Sequence, residues 1–145
     1  MAFYRASGTA NIQWLPGAAS TALTANSLVS LTSGTLTPTT ASLSYTNGIC
    51  METRASTDAD YTTARNVMVD VVGPDDIVYC DNITGTATAA MVGQYMKISS
   101  TTGLIADAGT ATDTIGADLV LMFQQFVTAT TGYFTVNGMK GQATP

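Results

Sequence analysis

From Ala41 onward the chain alternates short apolar runs with turn-forming residues, the pattern of successive β-strands. The runs are ASLSY (41–45), GICMET (48–53), NVMVDVV (66–72), DIVYCD (76–81), QYMKIS (94–99), GLIAD (103–107), DLVLMFQQFV (118–127) and GYFTV (132–136). Gly, Asn, Asp and Pro punctuate them at intervals of roughly 8 to 12 residues, the spacing of a small sandwich or barrel. Asn47-Gly48 between two runs predicts a hairpin. In the 67–72 run, Val67, Val69 and Val71 share one face and Met68, Asp70 and Val72 the other, so one face belongs to a core. The 119–127 run is apolar on both faces as far as Phe123, which predicts a central strand covered by another layer or by a partner.

The first forty residues read differently. Trp14-Leu15-Pro16-Gly17 predicts a turn, SLVSLTSG (27–34) a short strand, and 34–40 a loop or linker. Residues 11–15 fit either an edge strand or an extended arm, because Gly, Ala, Ser and Thr dominate on both sides. Only Thr86–Met91 reads as helical, a turn or two with Thr at its start as a candidate cap. The expectation is an all-β fold: a small β-sandwich or β-barrel with a short helical turn near 86–92 and an extended N-terminal arm. Residues 1–40 form the arm or edge-strand region and 41–145 the β-domain, within one compact unit.

Composition sharpens this picture. At 145 residues and 46% hydrophobic content the chain can bury a substantial core. Charged residues make up only 10%, against a usual share of about 25%. Ser and Thr fill about a quarter of the positions, so hydroxyls carry solubility, and the β-branched Thr suits exposed strand faces. A surface with so little charge has little to desolvate, which favours lasting contact with other protein surfaces.

A net charge of −5 and five scattered basic residues, Arg5, Arg54, Arg65, Lys97 and Lys140, argue against nucleic acid. No apolar run approaches the ~18 to 20 residues of a spanning helix, and the N-terminus lacks the apolar stretch of a secretory signal. Membrane association is not expected, and assembly in a cytoplasm is.

Chemistry is sparse. The chain has no His, which removes the commonest general base and the Ser-His-Asp arrangement, so no catalytic residue and no enzyme activity are expected. Cys50 and Cys80 fall inside strand runs and read as free, buried thiols. Two cysteines without histidine cannot complete an ordinary zinc site. The pairs Asp58 with Asp60 and Asp75 with Asp76 sit where the chain reverses, and DADYTTARN lacks the ligand spacing of an EF-hand, so they read as turn formers and no metal or other cofactor is expected. Asn82-Ile83-Thr84 fits a glycosylation sequon but reads as a strand end entering a turn. The C-terminal aromatics and methionines, Tyr95, Met96, Met122, Phe123, Phe126, Tyr133, Phe134 and Met139, divide between core and a patch for oligomer contacts.

Residues 66–109 couple a valine-rich strand, a Pro74-Asp75-Asp76 turn, the Ile77-Val78-Tyr79 strand and the phrase Ala87-Thr88-Ala89-Ala90-Met91-Val92-Gly93. That order resembles the small β-domain of tailed-bacteriophage capsid decoration (cement) proteins, with Gly48-Ile49-Cys50 as an opening strand. The resemblance covers about the last two thirds of the chain. Gln94 stands where the familiar phrase often has Lys, and Asp75-Asp76 where Gly-Asp is common. The resemblance implies a structural virion protein on the outer capsid surface, with the major capsid protein as partner and self-association, a trimer foremost. It makes Phe3, Tyr4, Trp14 and Leu15 the first candidates for lattice contact. Other classes that the sequence admits are a carbohydrate-binding or adhesin-like module and a tail-associated structural protein.

Overall fold

The computed structural model describes residues 2–42, 45–99, 101–114 and 119–136. Twelve strands form two sheets. They are β1 (Phe3–Ser7), β2 (Ile12–Pro16), β3 (Leu28–Thr32), β4 (Thr35–Pro38), β5 (Gly48–Cys50) and β6 (Asn66–Val71), followed by β7 (Ile77–Cys80), β8 (Ile83–Thr84), β9 (Tyr95–Ile98), β10 (Ala106–Thr112), β11 (Leu121–Thr128) and β12 (Thr131–Val136). The larger sheet runs β1-β7-β12-β11-β9-β10-β8 and the smaller β2-β6-β5-β3-β4. Every pairing is antiparallel except β8 with β10. The fold is all-β, a small sandwich, as the strand spacing predicts.

The main core fills the space between the sheets. Phe3, Val78, Met96, Leu121, Phe123 and Phe134 of the larger sheet meet Leu28 and Ile49 of the smaller one. Phe123 and Phe134 are register partners with ring centroids 5.1 Å apart. The smaller sheet has a second buried face. Val67 and Val69 alternate away from Asp70 and pack with Leu23, Val29, Leu36 and Cys50. A parallel bridge between Gly17 and Leu36, with Ala18 N–H donating to the Leu36 carbonyl at 2.9 Å, draws β4 towards the end of β2 and curls the smaller sheet around this cluster.

Several local expectations change. The N-terminal residues are no free arm: β1 pairs with β7 and β2 with β6, each at an edge of its sheet. The edge-strand reading of 11–15 therefore holds over the arm. Phe3 explains why, because its fully buried ring anchors β1 in the main core. Trp14–Pro16 lies in β2 rather than in a turn; Pro16 stands at the last position of an edge strand, where its missing N–H is tolerated.

The 34–40 linker is instead half of a hairpin. Thr32 pairs with Thr35 across Ser33 and Gly34, which have φ of 51° and 86°, the pair of positive values that a tight two-residue turn demands. Asn47-Gly48 makes no hairpin. Asn47 Oδ1 accepts from the Leu31 N–H at 2.7 Å, and Gly48 opens β5 between β3 and β6. Glycine is required there by crowding, since a Cβ would lie 2.3 Å from the Asp70 carbonyl oxygen. Of the ASLSY run, residues 43 and 44 lie outside the described residues, and Tyr45 is not in a strand. The strand expected at 103–107 lies at Ala106–Thr112, and the helical turn shrinks to one 3₁₀ turn, Ala89–Met91, whose N-cap Thr88 makes no side-chain capping bond.

Candidate interaction surfaces

The four residues expected to meet a partner as one surface are distributed over four environments. Phe3 is fully buried, so its side chain is core and not contact. Leu15 is half-buried against the inner cluster of the curled sheet. Tyr4 points from β1 to the outer face of the larger sheet, in contact with Tyr79. Trp14 alone stands out on the smaller sheet, 59% exposed.

Trp14 has company that strand pairing supplies. It lies directly opposite Met68 on β6, and the Met51 N–H donates to the Met68 carbonyl at 2.9 Å, continuing the row across a third strand. Ile12, two residues before Trp14 on the same face, is also exposed, as is Met51. Ile12, Trp14, Met68 and Met51 thus form an apolar strip at one side of the smaller sheet. Between Arg5 and Glu52 the chain carries no charged residue, so β2 and β4, both edge strands, lack the charges that commonly block edge pairing.

A second surface lies on the outer face of the larger sheet. Tyr4, Tyr79 and Tyr133 occupy register positions on β1, β7 and β12, and with Ala6 and Val127 they line an open groove of about 400 Å³.

Among the described residues two charged side chains, Arg54 and Asp70, are buried. Arg5 of the larger sheet reaches Asp70 of the smaller one through two bonds, Nε to Oδ2 at 2.9 Å and Nη2 to Oδ1 at 2.7 Å, while its Nη1 pairs with Asp76 at 3.0 Å. Asp70 Oδ1 also accepts from the Asn11 N–H at 3.0 Å. Burial pushes the Asp70 carboxyl up, but the Arg5 hydrogen bonds, the Asn11 bond and the Arg5 charge outweigh it and hold the group below the ordinary carboxylate range. The same pairing with Asp70 pushes the Arg5 guanidinium up against the opposing effect of desolvation.

Arg54 is fully buried. Its Nη1 donates to the Ala18 carbonyl at 3.0 Å and its Nη2 to the carbonyls of Tyr61 and Thr63, with the Tyr61 ring 5.8 Å away. It ties the loop before β3 to the loop before β6. Arg65 pairs with Glu52 at 2.7 Å and with Asp60 at 2.5 Å. Nothing in the hydrophobic pattern distinguishes these three arginines, which the sequence presents only as scattered charges.

The aspartate pairs serve turns and ion pairs. Asp58 accepts from the Ala55 N–H, Asp60 meets Arg65, and Asp76 accepts from the Gly73 N–H. Among the described residues no group of His, Cys, Asp and Glu could hold a metal ion. Among the same residues no helix is long and apolar enough to cross a membrane. Cys50 and Cys80 are free and buried; desolvation pushes the Cys80 thiol up to about 12 and raises Cys50 as well.

No known family model matches this chain, and no curated protein does.

Proposed function

We propose that this chain is a structural virion protein, a capsid decoration protein that binds the outer surface of a major capsid lattice and stabilises the expanded head. The strip of Ile12, Trp14, Met68 and Met51 carries the reading: a contact surface with a large aromatic anchor, whose neighbouring carboxylates Asp70 and Glu52 are already paired with arginines, mounted on a two-sheet frame. The resemblance of residues 66–109 to decoration proteins supplies the address. Uncharged edges at β2 and β4 favour self-association in the same assembly, with a trimer as the expected species.

Cement function follows from mass action. Contacts made only in the expanded shell stabilise it over the dissociated state, and simultaneous engagement of several subunits multiplies weak contacts through effective concentration.

The test is co-sedimentation with mature, undecorated capsids of the cognate phage. Deleting the N-terminal segment is unsuitable, because it would remove β1, β2 and the buried Phe3. Trp14→Ala touches only the exposed strip. Saturable binding by the parent chain, weakened at least tenfold by Trp14→Ala, is expected, since a hot-spot aromatic contributes about 2 kcal/mol or more. Absence of binding to expanded and precursor shells alike would refute the proposal. Light scattering should return three times the 15.0 kDa chain mass, and a monomer at micromolar concentration would refute the trimer.

A further inference from the structure

The row of tyrosines on the larger sheet has a chemistry of its own. Tyr4 stands opposite Tyr79 and Tyr79 opposite Tyr133, with ring centroids 5.0 Å apart at each step and interplanar angles of 42° and 64°. The rings present an amphipathic ledge beside Val127, itself exposed. Two other tyrosine hydroxyls are used internally: Tyr45 donates to the Leu31 carbonyl and Tyr61 to that of Ser20. The hydroxyls of Tyr4, Tyr79 and Tyr133 have no hydrogen-bond partner among the described residues. The groove therefore offers aromatic faces together with three free donors and acceptors.

Charge narrows the ligand. Among the described residues no cationic side chain lines the groove. Desolvation raises the Tyr4 hydroxyl, with Tyr79 and Asp81 adding to it, so Tyr4 remains a protonated donor beside a carboxylate. Phosphates, nucleic acid and acidic sugars meet nothing attractive here. A quaternary ammonium needs rings closed around it, and a row on one sheet face leaves the groove open. A ligand with apolar C–H faces, many hydroxyls and no charge fits all three properties.

We infer that the Tyr4–Tyr79–Tyr133 groove is a binding site for a neutral saccharide, whose ring faces stack on the phenol rings while its hydroxyls exchange hydrogen bonds with the phenolic oxygens. The inference goes beyond the decoration reading and is independent of it. The groove lies on the outer face of the larger sheet and the Trp14 strip on the smaller sheet, so the domain can hold a lattice and a glycan at once.

Calorimetric titration of the full chain with maltotriose, cellotriose, mannotriose and chitotriose tests this. At least one should bind at millimolar or lower concentration. Tyr79→Ala should weaken that sugar about tenfold through loss of the central ring, and Tyr79→Phe less, through loss of one hydroxyl. Trp14→Ala should leave it unchanged, which separates this site from the capsid surface. If Tyr79→Ala fails to fold by circular dichroism, Tyr133→Ala takes its place. Failure of all four sugars to bind, binding indifferent to both ring deletions, or tighter binding of choline than of any sugar would each overturn the assignment.

Discussion

Asp70→Asn isolates the one ionic tie between the two sheets among the described residues. Asp70 side chain and Arg5 side chain are 6% and 11% exposed, so water screens the pair poorly. Breaking a buried pair by removing one charge typically costs about 3–5 kcal/mol. Here the loss is smaller, because Arg5 keeps Asp76 and an asparagine oxygen can still accept from Asn11. A loss of about 2–3 kcal/mol at pH 7 is expected, and for a chain of this size that lowers Tm by roughly 4–12 °C.

The pH dependence gives the sharper check. Asp70 titrates below its ordinary value of 3.8 in the folded state, so its stabilisation is complete above that value and is lost as pH falls through the lower native one. The stability gap between parent and Asp70→Asn should be flat from about pH 7 to about pH 5 and should narrow below about pH 4. Urea unfolding followed by circular dichroism across this range measures both quantities. A gap under about 0.5 kcal/mol at pH 7, the scale of an ordinary surface substitution, would refute the reasoning. So would a gap that does not narrow however far the pH is lowered below the ordinary carboxylate value.

Two further predictions concern the cores. Gly48→Ala should destabilise by at least about 2 kcal/mol in urea titration, because the crowding atom is the backbone carbonyl of Asp70, which cannot rotate aside; a loss under about 0.5 kcal/mol would refute the close approach. Neither Cys50 nor Cys80 should react with Ellman's reagent at pH 8 in the native protein, whereas both should titrate in concentrated urea; rapid native reaction would contradict their burial and raised thiols.

The sequence makes the strands legible where one rule acts alone. Val67 and Val69 alternate into a core as their period-2 spacing requires, and β6, β7 and β9 lie inside their predicted runs. It misleads where a residue type has two uses. Asn47-Gly48 has the composition of a hairpin turn, yet Gly48 is there for close packing and Asn47 to bridge to β3; the actual tight turn, Ser33-Gly34, lacks the strong dipeptide signal. Aspartate at 70 alternates with valines like any outward polar residue, and only the fold reveals that Arg5, 65 positions earlier, neutralises it inside. The surfaces divide in the same way. An aromatic-rich N-terminus is visible in the sequence, but the alternation of β1 sends Phe3 inward and Tyr4 outward to tyrosines that are neighbours only through strand order.

The disposition of the arginines bears on how this protein would meet its partner. Arg5 and Arg65 are held by carboxylates and Arg54 by backbone carbonyls inside the fold. Of the five basic residues that leaves Lys97, which makes no ion pair among the described residues, and Lys140, which lies outside them. The charges nearest the Trp14 strip, Asp70 opposite Ile12 and Glu52 beside Met68, are already paired with Arg5 and Arg65. The strip's binding must then come from apolar burial and short-range packing, which salt does not screen, rather than from steering, whose reach shrinks with the Debye length from about 10 Å at 0.1 M to about 3 Å at 1 M. Capsid affinity measured by co-sedimentation should accordingly change by less than about threefold between 0.1 and 1 M NaCl, or strengthen slightly as salt favours burial. A tenfold or greater weakening over that range would show that exposed charges hold the complex, and would move the contact away from Trp14 to an acidic part of the surface.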